Sequence, residues 1–542
     1  LIEKFGGDDY NFYTIYVSLL LAVVYAAVIG LASLRKIEAR PAYILLLIAV
    51  VAEMVFNAGW SFATIQAKEY FTARSDYVAN DITKAIDKAA KRTEEIGDRE
   101  SGSEFYRIEL LPRRTTVDTA LFDYRGITAF ASSSPQRLAK FMGYIGYAVN
   151  GVNSHLYKSF VPFTDSLLGI KYVMLDYSTS DSLSSDTYLE FIEKVDYNGT
   201  TYSIYRNKTA LPLGYLVEPS IKDWVPSQYN AFASVDTLYS NLTGDYSELF
   251  TLASVDTGYN SEDIASLTGG VSFTIRPTSD NQEVVFEATI TKSGQTFAFI
   301  DCRAAKNISL STTTGNSWNV SAHEPYIVNT GYLSQGSVVT VNIRAEDVCS
   351  GNIYVGTLEQ DVFENAVEQF AAHPLIVSSH SDTRITGTIN APKNGVVFTS
   401  IPFDEGWTVK VDGKKVETFA AANAMLAFDI TPGGHEVELS FATKGLPLGL
   451  ALSVSSLALL ILLLAFIRKF VEPDNPDDNE FAALSRLLLP QKAAVQDTCA
   501  QSEQQFIEDT FQLDLEDFND TAGQNTQDGE AQGFDNSFDA GL

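Results

Sequence analysis

The chain has 542 residues, a net charge of −30 at pH 7 and an isoelectric point near 4.5. A protein that binds nucleic acid through a basic surface needs clustered lysine and arginine, so this charge excludes that class of function. Hydrophobic residues make up 45% of the composition, which is ordinary for a globular protein. Any indication of a membrane protein must therefore come from how these residues are distributed along the chain.

Three apolar segments are each long enough to cross a membrane as a helix, namely residues 12–34, 42–60 and 446–467. The second segment contains Glu53, which is unfavourable in lipid unless it faces other helices or water. Basic residues, which favour the cytoplasmic side, flank the segments at Arg35, Lys36, Arg40, Arg468 and Lys469. We therefore predict a multi-pass protein of the cell membrane, with residues 61–445 extracytoplasmic and the carboxyl-terminal tail cytoplasmic.

Changes in residue pattern divide the chain into regions. Mixed helical and strand patterns precede about residue 268, period-two alternation typical of antiparallel sheets follows it, and the tail is rich in Asp, Glu, Gln and Asn. We predict three α-helical transmembrane spans, a large extracytoplasmic α+β region with two β-sandwich-like domains, and a disordered acidic tail. The predicted regions are the end of an outer loop (1–11), spans at 12–34, 42–60 and 446–467, a mixed α/β domain (61–267), a β-sandwich (268–373), a β domain (374–445) and the tail (468–542).

Two local elements carry specific signals. Amphipathic spacing predicts a helix over residues 75–97, ending at Gly97. Asp412-Gly413 suits a type I′ turn, which predicts a hairpin. Its predicted cross-strand pairs are Val411 with Lys414, Val409 with Val416, Trp407 with Thr418, and Lys410 with Lys415.

The chain has three cysteines. Cys302 and Cys349 lie in the predicted sandwich outside the membrane, where a disulfide is permitted, but two buried thiols are an equally good interpretation. Cys499 is predicted on the other side of the membrane. Neither the cysteine spacing nor the five histidines resembles a zinc site, so we expect no metal site and no cofactor.

Five residues are candidates for substrate binding. Arg107 and Glu109 stand two apart on a predicted strand and share a face, where the arginine can grip a phosphate or form a structural ion pair. Lys171 interrupts an apolar strand and either binds a ligand or pairs with a carboxylate.

The remaining two candidates are Asp404 and Trp407, because the paired carboxylates of Asp404 and Glu405 beside an aromatic ring resemble a sugar site. A structural turn is the alternative at this place. Adjacent Asp404 and Glu405 make a poor acid/base pair, because neighbouring residues on a strand point to opposite faces.

Several strings resemble the YfhO-like family of bacterial membrane proteins. They are FYRIE at Phe105, the serine cluster Ser132–Ser134, LLGIKYVM at Leu167, YRNKTALPLGYL at Tyr205, SIPFDEGWTVKVDGKKV at Ser400 and PGGHEVELSF at Pro432. The resemblance implies a multi-span glycosyltransferase of the GT-C type. Such an enzyme takes sugar from a polyprenyl-phosphate donor and attaches it to a cell-envelope glycan such as lipoteichoic acid.

In that architecture the catalytic carboxylate lies in an early outer loop. We therefore expect it upstream of Leu1, and we assign no catalytic residue within the chain. A non-catalytic, membrane-anchored module that binds glycan or protein is the alternative function. In either case membrane lipids are expected contacts, and the acidic tail is a candidate docking segment for a cytoplasmic partner.

Overall fold

The computed structural model describes residues 12–68, 79–176, 186–257, 264–267, 269–277 and 282–470. The predicted disordered tail from residue 471 and the first eleven residues lie outside the described residues. The chain divides into two compact units, Leu1–Ala442 and Thr443–Leu542.

The described residues include nine α-helices, which differ strongly in length and polarity. They are α1 (Phe12–Ser33), α2 (Ala39–Lys68), α3 (Asp81–Ser101), α4 (Asp118–Leu121), α5 (Gln136–Tyr144), α6 (Pro162–Leu167), α7 (Ala231–Thr243), α8 (Gln360–Ala371) and α9 (Leu446–Phe470).

Three of these helices are long and apolar enough to span a membrane. The qualifying stretches are Tyr16–Ser33, Arg40–Trp60 and Leu446–Phe466, so the predicted membrane helices are confirmed. The Tyr25 hydroxyl on α1 donates a hydrogen bond of 2.6 Å to Glu53 Oε2 on α2. Glu53 therefore faces the neighbouring helix, which is the arrangement that makes a carboxyl tolerable inside a membrane.

The region after α2 contains eight strands and a helical layer. The strands are β1 (Arg107–Leu111), β2 (Ala129–Phe130), β3 (Ala148–Val149), β4 (Ser154–Leu156), β5 (Ile170–Asp176), β6 (Leu189–Tyr197), β7 (Thr200–Asn207) and β8 (Gly214–Val217). One sheet has the order β1-β5-β7-β6, with β1 and β5 parallel, and a small sheet has the order β2-β4-β3. Strand β5 is the apolar strand that Lys171 interrupts, and it pairs with β7 in antiparallel orientation.

Helix α3 packs on the four-stranded sheet through its apolar stripe. The predicted end of this helix at Gly97 is wrong, because the helix continues to Ser101 and is capped by Gly102 at φ +61°. Gly97 is needed for close packing instead. A Cβ at this position would lie 2.4 Å from Cζ of Tyr106, so the missing side chain lets the tyrosine ring approach the helix.

A two-layer β-sandwich follows. Its strands are β9 (Phe250–Leu252), β10 (Ser254–Thr257), β11 (Ile264–Leu267), β12 (Gly270–Ile275), β13 (Gln282–Thr289), β14 (Gly294–Asp301), β15 (Asn307–Thr312), β16 (Ser317–Val320), β17 (Ile327–Leu333), β18 (Val338–Ala345) and β19 (Cys349–Leu358). The sheet orders are β10-β13-β18-β15-β16 and β11-β12-β19-β14-β17, with β9 paired to β19. Alternate apolar residues fill the space between the layers, where the rings of Phe273 and Phe286 lie 4.8 Å apart. A disulfide joins Cys302 and Cys349, which decides between the two interpretations of these cysteines.

Two further sheets complete the unit. Their strands are β20 (Ile376–His380), β21 (Arg384–Ala391), β22 (Gly395–Pro402), β23 (Trp407–Val411), β24 (Lys414–Val416), β25 (Thr418–Ala421), β26 (Met425–Ile430) and β27 (Gly433–Phe441). The sheet orders are β20-β21-β27-β23-β24 and β25-β26-β22-β8. Strand β8, from the predicted mixed domain, thus belongs to a sheet of the predicted β domain. Strands β9 to β11 precede residue 268 but belong to the sheets of the sandwich. The domain boundaries stay a prediction, and hydrogen-bonded sheets cross them.

The predicted hairpin forms around Asp412 and Gly413, whose φ angles of +51° and +75° match a type I′ turn. Three of its four predicted cross-strand pairs occur, namely Val411 with Lys414, Val409 with Val416, and Lys410 with Lys415. The predicted pairing of Trp407 with Thr418 is wrong. Trp407 is opposite Phe441 on β27, because β24 ends at Val416 and Thr418 already belongs to the other sheet.

Candidate functional site

A cavity of about 290 Å³ lies beside the start of β1, and we call it the Arg107 cavity. Its walls come from the loop after α4, from α5, from β4 and from the end of β22. The polar side chains that line it are those of Arg107, Ser134, His155 and Ser400. Apolar side chains such as Leu138 and Met142 form most of the remaining wall.

Arg107 holds three distant segments together. One guanidinium nitrogen, Nη1, donates to the carbonyl oxygen of Leu168 and, at 2.8 Å, to Ser400 Oγ, while Nη2 donates to the Ser400 carbonyl oxygen at 2.8 Å. Burial lowers the pKa of Arg107 to about 10, so the group stays charged at neutral pH. Within the described part of the chain these bonds use three of the five guanidinium N–H groups.

Glu109 is buried and does not take Arg107 as its hydrogen-bonding partner. Its carboxylate accepts hydrogen bonds from the backbone N–H of Ile127, from the N–H of Thr128 at 3.0 Å and from the Thr128 hydroxyl at 2.9 Å. Burial raises the pKa of Glu109 to about 7, against the opposing effect of these hydrogen bonds. The residue thus fixes the loop that forms one wall of the Arg107 cavity.

The sequence pattern gives no indication that His155 belongs to a site. His155 lies on β4, is 6% exposed and lines the cavity. Burial lowers the pKa of its imidazole to about 4, so the ring is neutral at physiological pH. Its Nδ1 atom is buried and has no hydrogen-bond partner among the described residues. A buried polar atom without a partner is unfavourable by about 1–3 kcal/mol, so His155 occupies this wall at a cost in stability.

Lys171, Asp404 and Trp407 lie in other surroundings. Lys171 borders a separate cavity of about 210 Å³, where its Nζ donates to Ser101 Oγ at 2.8 Å. Asp404 Oδ1 accepts from the N–H of Gly406 at 2.7 Å, and the ring of Trp407 packs on Phe441 with centroids 5.1 Å apart. Of the five predicted residues, Arg107 lines the Arg107 cavity and Glu109 supports its wall.

Strings far apart in sequence meet at this cavity. Arg107 comes from FYRIE, Ser134 from the serine cluster, Leu168 from LLGIKYVM, and Ser400 from the SIPFDEGW segment. A further link joins the YRNKTALPLGYL string, since the backbone N–H of Ser400 donates to the Leu213 carbonyl oxygen at 2.9 Å. Five of the six segments that carry the resemblance therefore meet at or beside this cavity.

A model for the family described as "Bacterial membrane protein YfhO" matches residues 3–453. The chain belongs to this family. Membership in the YfhO family agrees with the three membrane helices and with the β-rich region between the second and the third of them. No curated protein sequence matches the chain.

Parts of the chain match solved structures only weakly. The xylan-binding module CBM86 from Roseburia intestinalis is 16% identical, with 21% of this chain and 99% of the module covered and a TM-score of 0.14. A cycloisomaltooligosaccharide glucanotransferase from Paenibacillus sp. is 10% identical, with 41% and 47% covered and a TM-score of 0.15. An anti-sigma factor domain-containing protein from Clostridium clariflavum is 11% identical, with 35% and 89% covered and a TM-score of 0.13. Scores this low support no argument about function.

Proposed function

We propose that the chain is the extracytoplasmic and carboxyl-terminal part of a membrane glycosyltransferase. The enzyme transfers sugar from a polyprenyl-phosphate donor to a cell-envelope polymer such as lipoteichoic acid. The Arg107 cavity holds part of a sugar substrate, and a catalytic carboxylate in another part of the enzyme promotes the sugar transfer. The observation that supports this most is the meeting of the family strings around a cavity that contains a buried histidine without a partner.

The chemistry of the cavity suits a sugar. Its volume is close to the lower limit of about 300 Å³ for small-molecule pockets. A neutral imidazole, a serine hydroxyl and the remaining N–H groups of Arg107 can exchange hydrogen bonds with sugar hydroxyls. The apolar wall can take the C–H face of the ring. The same mixture of a few polar groups in an apolar pocket fixes ligand orientation in other binding sites.

The proposed topology places this cavity outside the cytoplasm. Arg35 and Lys36 follow α1 directly, and Lys469 is at the end of α9, so the positive-inside rule puts both of these ends in the cytoplasm. The disulfide between Cys302 and Cys349 agrees with an oxidising compartment for the region between α2 and α9. Polyprenyl-phosphate sugars and envelope polymers are accessible on that side.

The test is transfer of labelled sugar from a polyprenyl-phosphate donor into envelope polymer, in membranes of cells that lack the chromosomal gene. The full-length protein should restore transfer. A His155→Ala variant should restore it at least about tenfold less well, which corresponds to a loss of about 1.4 kcal/mol of substrate interaction. His323→Ala is the matched control, because His323 is exposed and does not line this cavity.

The amount of each variant in the membrane and its thermal unfolding temperature must match those of the unmodified protein. Equal transfer by His155→Ala and the control would contradict the role of the cavity. If deletion of the gene leaves envelope glycosylation unchanged while glycan or partner binding is lost, the protein is a non-catalytic binding module and the proposed activity is wrong.

A further inference from the structure

A second cavity, of about 360 Å³, lies at the carboxyl ends of the parallel strands β1 and β5. We call it the Arg113 cavity. Leu111, the last residue of β1, and Leu175, near the end of β5, form one side. In sheets with parallel strands the carboxyl ends are where ligands bind most often, because the chain turns away there and leaves a crevice. The opposite side comes from the β-sandwich.

The cavity contains a cation with an unsatisfied donor. Arg113 follows β1 by two residues, and its Nε atom is buried without a hydrogen-bond partner among the described residues. Lys158, the other basic residue of the lining, is already neutralised by Glu324 at 2.8 Å. Arg113 is only partly buried and lines the cavity, so its guanidinium is the cation that an acid group on a ligand would meet. A guanidinium binds phosphate and carboxylate through paired N–H groups.

Aromatic and hydroxyl groups complete the lining. Trp318 on β16 and Tyr326, just before β17, contribute aromatic rings from the sandwich. Aromatic rings of this kind offer an apolar face to the C–H groups of a sugar ring. Ser159 Oγ accepts a hydrogen bond of 2.8 Å from the backbone N–H of Asn329, and that bond does not use the serine hydroxyl hydrogen. The hydroxyl can donate it to a ligand oxygen.

We propose that the Arg113 cavity is a binding site for an anionic sugar, with the acid group on Arg113 and the ring against Trp318 and Tyr326. A sugar phosphate and a uronic acid share this chemistry, and both occur in envelope polymers and their precursors as a class. The site is separate from the Arg107 cavity, and its binding activity does not depend on the proposed sugar transfer. Sugar transfer is tested with His155 variants, and binding at the Arg113 cavity is tested with Arg113 variants, so either result can fail without the other.

The test is direct binding to the full chain in detergent, measured by calorimetry at low salt. The probes are glucose 1-phosphate, glucuronate, neutral glucose and inorganic phosphate. We expect glucose 1-phosphate or glucuronate to bind at least tenfold more tightly than glucose and than inorganic phosphate. The comparison between the two charged sugars shows which acid the site prefers.

Three variants locate the binding. Arg113→Gln should weaken the charged sugars at least tenfold, and Arg113→Lys should keep part of that affinity because it keeps the charge. Trp318→Leu should weaken the charged sugars and leave inorganic phosphate unchanged. Arg303→Gln is the matched control, since Arg303 is exposed on the sandwich and pairs with Asp301 at 3.3 Å. Binding that is unaffected by Arg113→Gln, or inorganic phosphate that binds as tightly as the sugars, would overturn the proposal.

Discussion

Arg107 and Glu109 stand two residues apart on β1, yet their side chains have different partners. The sequence predicts that both matter, because charges in an otherwise apolar strand need partners. It cannot predict those partners, since Arg107 contacts Leu168 and Ser400 across large sequence separations. His155 gives even less signal. Nothing in the residues around it distinguishes a histidine whose ring nitrogen lacks a partner from one in an ordinary core, and only the assembled cavity makes that visible.

The raised pKa of Glu109 makes stability depend on pH. Burial lifts the pKa from 4.5 to about 7, so the folded protein binds a proton that the unfolded chain has already released in this range. The contribution of Glu109 to the free energy of unfolding is therefore fully present below about pH 4.5 and is lost as the pH rises through 7. Asp165, whose pKa burial raises to about 8, contributes in the same direction. Each carboxyl adds a slope approaching about 1.4 kcal/mol per pH unit within its window.

A Glu109→Gln variant should flatten the pH dependence of the unfolding free energy between about pH 4.5 and 7. The amide oxygen still accepts from the N–H groups of Ile127 and Thr128, and the amide nitrogen donates to the Thr128 hydroxyl oxygen where Oε2 accepted before. The side chain no longer titrates. Thermal unfolding in detergent across this pH range measures the effect. Glu417→Gln, at an exposed position, is the control and should keep the original slope. A Glu109→Gln slope equal to that of the unmodified protein would mean that Glu109 does not titrate in this range.

Among the elements, those with strong local signals are predicted best. The apolar membrane helices, the central strand β5 and the Asp412-Gly413 hairpin all follow from spacing and turn chemistry. The prediction fails where tertiary packing decides. In the sequence Gly97 is typical of a helix end. In the structure its lack of a side chain leaves room for the ring of Tyr106 to pack against the helix. Strand β8 offers no signal that its partner is β22, because antiparallel partners far apart in sequence leave no periodic trace.

The hairpin gives a test of turn energetics. A Gly413→Ala variant should lower the free energy of unfolding by about 1 kcal/mol, because φ at this residue is +75° and a Cβ is strained there. Among the described residues no atom lies within 4 Å of the added Cβ, so the variant tests the backbone conformation alone. Gly434→Ala is the matched control, since a Cβ there also meets open space and its φ is not in the positive region. Denaturant unfolding of both variants should separate them, and equal stabilities would contradict the turn assignment.

On the scale of the whole molecule, family membership and the membrane helices are established, while the sidedness of the protein remains a proposal. Its basis is the distribution of basic residues around the membrane helices. Net charge does not help, because acidic residues occur on both proposed sides of the membrane. The cysteines offer a better probe, since two are joined in the disulfide and Cys499 belongs to the tail.

A membrane-impermeant maleimide should therefore leave Cys499 unlabelled in intact cells and label it after the membrane is permeabilised. An Asp382→Cys variant provides the opposite case, because Asp382 is exposed between β20 and β21 and should be labelled in intact cells. Labelled peptides identified by mass spectrometry give the result. Labelling of Cys499 in intact cells, or protection of the cysteine at position 382, would reverse the proposed topology.

The pairing of β8 with β22 also sets an order of events during synthesis. The ribosome delivers Val217 long before Val396, its partner in the ladder, so β8 keeps an unpaired edge while the whole sandwich is being made. A nascent chain stopped before β22 can build the four-stranded sheet and the sandwich, but Leu216 and its neighbours stay uncovered. Premature termination in this interval thus leaves a strand edge with unpaired N–H and C=O groups. Such a product should aggregate or be removed by quality-control proteases, and a stable shorter protein should not accumulate.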